Sequence, residues 1–194
     1  MSQRTKVGVL ISGRGSNMAA LIQASKAADY PAEIALVLSN VPDADGLRTA
    51  AAEGIAVRAI DSRPFGKDRE THERSLDAAL READVQVVCL AGYMRLLTPW
   101  FVEAWSGRML NVHPSLLPDF KGLHTHARAI EAGVKEAGCT VHIVTTELDD
   151  GPILGQTRVP VLPGDDADAL AARVLAEEHK LYPRCLAEFC RKLG

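Results

Sequence analysis

A chain of 194 residues, 47% hydrophobic and 24% charged, has the length and composition of one globular domain with a full core. A net charge of −3 gives nucleic acid no electrostatic hold, and the four cysteines (Cys89, Cys139, Cys185, Cys190) show neither C-x-x-C spacing nor a disulfide framework. No stretch reaches the length of a transmembrane helix, and the opening apolar run is too short before Gly13 and Arg14 to be a leader. A cytoplasmic protein without a nucleic-acid or membrane partner is therefore expected.

The elements alternate from the start. Aliphatic runs KVGVLIS, AEIALVLS, IAVRAID and VQVVCLA have the Val/Ile/Leu density of buried strands, and segments of helical periodicity lie between them, over 17–26, 45–53, 68–81 and 98–105. Such alternation predicts a parallel sheet with helices on both faces. Gly54 stands where the glycine after a helix belongs. Beyond Met109 the rhythm changes. A strand, MLNVH, enters a Pro-rich loop and a short helix over 127–132. Two apolar runs, CTVHIVT and PILGQTRVPV, then follow, separated only by TELDDG, a connection suited to an antiparallel pair. A last helix runs from about Ala167 towards Leu193, with Pro183 expected to kink it.

Four places could carry chemistry. ISGRGSN follows the first strand and opens the first helix. Gly13 and Gly15 permit a tight turn, Ser16 is a good N-cap, and the helix start offers free N–H groups to an anion. It is not a dinucleotide fingerprint, which would need glycine where Met18 stands, nor a Walker loop; a structural turn and a phosphate site are about equally compatible with it. In MLNVH, period-2 geometry puts Asn111 and His113 on one face, at the strand end where open α/β sheets bind ligands. An amide and an imidazole there can stabilise an oxyanion and move a proton. ELDDG, residues 147–151, taken alone is a solvated turn, although a carboxylate beside His113 would orient the ring and favour its charged form. Finally, at about 100° per residue, Glu178 falls within the last helix's apolar stripe of Leu170, Val174, Leu181, Tyr182, Cys185 and Phe189. A carboxylate on that face needs a partner. His124 and His126 lack a metal-ligand cluster, His142 reads as a packed strand residue, and no metal is expected.

Together, VLISGRGSNMAAL, LAGYMRLLTP, LNVHPSLLPDFKGLHTHARAIEAG, ELDDGPIL and EEHKLYP resemble the glycinamide ribonucleotide (phosphoribosylglycinamide) formyltransferase family, the folate-dependent transformylases of purine biosynthesis. The resemblance covers nearly the whole chain in order. It implies a Rossmann-like formyltransferase fold, α/β with a mostly parallel central sheet flanked by helices and a late antiparallel strand, in a single domain over residues 1–194. It also implies formyl transfer from the co-substrate 10-formyltetrahydrofolate to the amine of 5′-phosphoribosylglycinamide. Carried over position by position, Asn111 stabilises the oxyanion, His113 is the general acid/base, and Asp149 orients and charges His113 and assists proton transfer. Gly15, Ser16, Asn17 and Glu178 bind the phosphorylated substrate. Arg69, Met94, Arg95, Leu96 and Leu97 bind the folate, with contributions from residues 145–149. A homodimer is left open. The same Asn–His–Asp core occurs in formyltetrahydrofolate hydrolase, which ranks second, and in other folate-dependent formyltransferases. A non-catalytic phosphate-binding module would leave Asn111, His113 and Glu178 without a purpose.

Overall fold

The computed structural model describes residues 4–193; residues 1–3, which open the stretch weighed as a leader, and residue 194 of the expected single domain lie outside the described residues. Seven strands, β1 (Thr5–Ile11), β2 (Ala32–Ser39), β3 (Val57–Ala59), β4 (Val87–Leu90), β5 (Met109–His113), β6 (Glu136–Ile143) and β7 (Ile153–Pro160), form one sheet in the order β3-β2-β1-β4-β5-β6-β7. The first five are parallel, and β6 is antiparallel to both β5 and β7. The helices are α1 (Ser16–Ser25), α2 (Asp45–Ala52), α3 (Arg69–Glu82), α4 (Pro99–Ala104), α5 (Thr125–Glu131) and α6 (Ala167–Leu193).

Both faces of the central strands are buried because their side chains alternate between two cores. Val7, Val9 and Ile11 of β1 pack with Met18 and Leu21 of α1, Leu47 of α2 and Leu181 of α6. Leu10 points the other way, with Leu38 and Val88, onto Leu76 and Leu80 of α3 and Phe101 of α4 and the Trp105 that follows it. The Tyr182 hydroxyl of α6 lies 3.0 Å from the carbonyls of both Leu90 and Leu110, tying the helix to the neighbouring strands β4 and β5.

Two local expectations are corrected. IAVRAID does not form a buried strand: β3 is a three-residue edge strand, exposed throughout, with Arg58 paired to Glu82 across 2.9 Å. An edge has one strand neighbour and leaves side chains open to solvent, which local hydrophobicity does not reveal. Ser16 is the first residue of α1 rather than its cap. Gly15 caps it with φ 69°, a left-handed conformation that glycine adopts without strain. Gly13 has no positive φ and open space around it, so it has no such requirement. Pro183, the expected site of a kink, lies buried within α6, and Tyr30 donates a hydrogen bond to its carbonyl at 2.7 Å.

This topology puts the C-terminal ends of β1, β4 and β5 side by side. The chain reverses its order of strand addition between β1 and β4, which makes their C-terminal edge the crevice where open α/β sheets hold ligands.

Candidate active site

The end of β5 supplies the centre. Asn111 pairs in register with His142 of β6, and their side chains meet, with Nδ2 of the amide 3.3 Å from Nε2 of the ring. The His142 Nδ1 sits 3.0 Å from the Ile143 carbonyl, which only accepts, so Nδ1 carries the proton. Burial pushes this imidazole below the ordinary histidine value of 6.5, against the opposing pull of the Ile143 carbonyl and Asp149. The neutral ring therefore offers Nε2 as a bare acceptor. It takes one hydrogen of the Asn111 amide and leaves the other to point elsewhere.

His113, 6% exposed, donates from Nε2 to the Phe120 carbonyl at 3.0 Å. Its Nδ1 lies 3.4 Å from Asp149 Oδ2, within ion-pair distance though without hydrogen-bond alignment, and His142 Nε2 lies 3.8 Å from Asp149 Oδ1. Catalytic contacts are often loose before substrate arrives. Asp149 is held with φ 49°, an uncommon left-handed backbone for a residue with a side chain, and accepts from the Gly122 N–H at 2.9 Å. Asp150 turns away to pair with Lys121 at the surface. The two consecutive acids thus separate into one whose side chain is covered beside the histidines and one solvated.

The loop after β5 is tied down on both sides. Leu117 N donates to Thr140 Oγ1 at 3.0 Å, Thr140 Oγ1 donates to the Ser115 carbonyl at 2.7 Å, and Gln156 Nε2 donates to the Leu117 carbonyl at 2.8 Å. These bonds hold the loop that leads to Phe120, whose carbonyl takes the His113 Nε2–H.

A second group forms at the start of α1. Asn17 Nδ2 donates to Glu178 Oε2 at 2.7 Å, joining the glycine-turn loop to α6. Glu178 is 6% exposed, and burial raises its carboxyl above the ordinary 4.5, opposed by the Asn17 hydrogen bond. The other amide atom, Asn17 Oδ1, is buried without a partner among the described residues. The first backbone N–H groups of α1 open beside it, because a helix leaves its initial donors without intrahelical partners.

The third group is the segment after β4. Met94 N donates to Ser12 Oγ at 2.8 Å, and Arg69 reaches the Leu96 carbonyl at 3.2 Å. Arg95 donates to the carbonyls of Ser62 (3.3 Å) and Gly66 (3.4 Å). Met94 and Leu96 stand 69% and 64% exposed, an unusual display of apolar surface on a segment whose backbone is pinned. The sequence-predicted residues thus gather as Asn111, His113 and Asp149 at β5, Gly15, Ser16, Asn17 and Glu178 at α1, and Arg69 with Met94, Arg95, Leu96 and Leu97 beyond β4. His142 was missed as part of the centre; its opposite-strand register with Asn111 is a pairing fact that one strand read alone does not contain. Among the described residues no group of three or more His, Cys, Asp or Glu side chains is arranged to hold a metal ion, and no helix is long and apolar enough to cross a membrane.

Residues 5–186 match the family model of the formyl transferases, and the chain belongs to that family. Within it, the chain is 46% identical over 181 residues to the phosphoribosylglycinamide formyltransferase of Escherichia coli strain K12, covering 93% of this chain and 85% of that one. It is also 46% identical over 185 residues to the trifunctional purine biosynthetic protein adenosine-3 of Gallus gallus, covering 95% of this chain but only 18% of that far longer protein. The crystal structure of phosphoribosylglycinamide formyltransferase from Brucella melitensis superposes with a TM-score of 0.92 at 53% identity, covering 97% of this chain and 96% of that one.

Proposed function

We propose that this protein, acting as a single formyltransferase domain, transfers the formyl group of 10-formyltetrahydrofolate to the amine of 5′-phosphoribosylglycinamide in purine biosynthesis. The convergence of Asn111, His113 and Asp149 at the end of β5 carries this reading, flanked by an anion-suited helix start and an exposed apolar segment. The names borne by the Escherichia coli and Brucella melitensis relatives support the choice of substrate.

In the transfer, the amine nitrogen bonds to the formyl carbon, that carbon's bond to the folate nitrogen breaks, and a proton passes from the amine to the departing nitrogen. Negative charge builds on the formyl oxygen between these events. The free hydrogen of the Asn111 amide donates to it, as does the Nδ1–H of His113, whose Nε2–H is held by the Phe120 carbonyl. Asp149 holds the His113 ring and assists the proton on its way. Acid–base help contributes about 10²–10⁴-fold, and one oxyanion donor about 10²–10³-fold.

The Gly15–Asn17 turn and the α1 N-terminus receive the substrate phosphate. Asn17 Oδ1 and Glu178 face the rest of that molecule, which fits a polar group that is otherwise buried and unpartnered. Met94 and Leu96 offer apolar cover to the flat folate ring, backed by Arg95 and Leu97, with Arg69 at the rim. The chemistry needs no metal ion, nucleic acid or membrane, and the expected compartment is the cytoplasm. Supplying formyl-labelled 10-formyltetrahydrofolate with phosphoribosylglycinamide tests the assignment: the label should appear on the glycinamide nitrogen. Label released as formate, whether or not the amine is present, would contradict it.

A further inference from the structure

Helix α3 carries three polar residues spaced four apart, Arg69, Glu73 and Asp77, so they share one face of the helix. Each reaches the stretch between β4 and the end of α4. Arg69 donates to the Leu96 carbonyl at 3.2 Å, and Asp77 Oδ1 accepts from Trp105 Nε1 at 3.0 Å. Between them, Glu73 is 2% exposed and accepts from Thr98 twice, from the backbone N–H at 2.9 Å and from the side-chain hydroxyl. A buried carboxylate is costly unless its oxygens are satisfied, and here both are satisfied by one residue. Thr98 caps α4 by accepting from Phe101 N at 3.5 Å, and it directly follows Leu97. Glu73 therefore fixes the downstream end of the Met94–Leu97 segment, as the Ser12 hydroxyl fixes its upstream end at Met94.

We propose that Glu73 is a positioning residue for folate, holding Thr98 so that Met94 and Leu96 stand outward as the apolar wall against which the folate ring packs. This rests on the assignment of Met94–Leu97 to folate made above. Within the segment, exposed Met94 and Leu96 alternate with half-buried Arg95 and Leu97 around a bend at Arg95, and both ends are anchored. Glu73 touches no reacting atom and is remote in sequence from Asn111, His113 and Asp149. Its loss should therefore weaken folate binding and spare the amine substrate.

In Glu73→Gln, the amide oxygen can still accept from the Thr98 N–H, but the NH₂ can meet the Thr98 hydroxyl only by donating to it, so that bond is reversed and both contacts lose their charge assistance. A segment less firmly anchored at one end must be ordered when folate binds, and the difference between a charged and a neutral acceptor corresponds to about tenfold in affinity. The expected result is a rise of about tenfold in the KM for 10-formyltetrahydrofolate and in the Kd for tetrahydrofolate by calorimetry, with the KM for phosphoribosylglycinamide within about twofold. Thr98→Val, which removes the hydroxyl and keeps the backbone donor, should show the same selectivity with a smaller rise, and it carries the test if Glu73→Gln does not fold. Asp77→Ala removes the equivalent bond at the far end of α4; it should lower Tm and leave both KM values unchanged. Equal rises in both KM values, or an unchanged Kd for tetrahydrofolate in a folded Glu73 or Thr98 variant, would overturn the proposal. Wild-type protein that binds tetrahydrofolate without transferring formyl would instead count against the proposed function, while the calorimetric comparison still decides the role of Glu73.

Discussion

Glu178 shows how a single side chain can be set against the fold that holds it. Burial raises its carboxyl above the ordinary 4.5. The sign follows from proton binding: a folded state that holds the proton more tightly is relatively favoured at low pH, and this advantage is lost as pH rises through the raised value, so at neutral pH the ionised group is a net cost. Glu178→Gln should therefore keep or raise Tm at neutral pH, because an amide oxygen can still accept from Asn17. The KM for phosphoribosylglycinamide should rise by about tenfold or more as a charged acceptor is lost. A lowered Tm with unchanged KM would contradict this. The residue was legible from helical periodicity alone, since a glutamate within an apolar stripe demands a partner. Asn111 and His113 were legible from strand alternation. Asp149 was not: ELDDG reads as a solvated turn, and only the family resemblance selected it. His142 reads from sequence only as a packed strand residue and Glu73 as an ordinary helix position, because their partners lie 31 and 25 residues away along the chain.

Among the elements, the strand-to-helix turn that opens α1 is closely constrained by α2. Gly46 of α2 donates its N–H to the Gly13 carbonyl at 3.0 Å, and a Cβ at position 46 would lie 2.4 Å from Ile11 Cδ1 and 3.0 Å from the Gly13 carbonyl oxygen. Side chain could yield there, but backbone on the opposite side could not. Gly46→Ala should cost about 1–3 kcal/mol in urea denaturation and should weaken phosphoribosylglycinamide binding by displacing the 13–15 turn. Unchanged stability would show that the close approach is relaxed in solution. The elements themselves followed from periodicity nearly throughout. β3 did not match, because whether a strand is central or at an edge depends on its neighbours and not on its own residues. The cap of α1 was assigned to Ser16 on side-chain preference, whereas backbone handedness gave it to Gly15.

At the scale of the whole molecule, the alternation of strands and helices, followed by two apolar runs too close for a crossover, was sufficient to predict a mostly parallel sheet with a late antiparallel addition. The order of the strands, and therefore the crevice between β1 and β4, required the three-dimensional pairing. Burial lowers the imidazoles of His72, His126, His142 and His179 below 6.5. For a base with a depressed value, stability is fully present above the ordinary value and is lost as pH falls through the lowered one. Tm should therefore decline as pH is brought from about 7 to about 5, with four histidines acting in this direction against the single opposing Glu178. A flat or rising Tm would contradict this arrangement of neutral histidines, two buried and two half-buried.

The central claim, that the end of β5 is where formyl transfer takes place, is tested most directly by steady-state kinetics of purified, folded His113→Ala. The account predicts a kcat lower by about 10²–10⁴-fold with the KM for each substrate within about threefold of wild type. Near-wild-type turnover would contradict it.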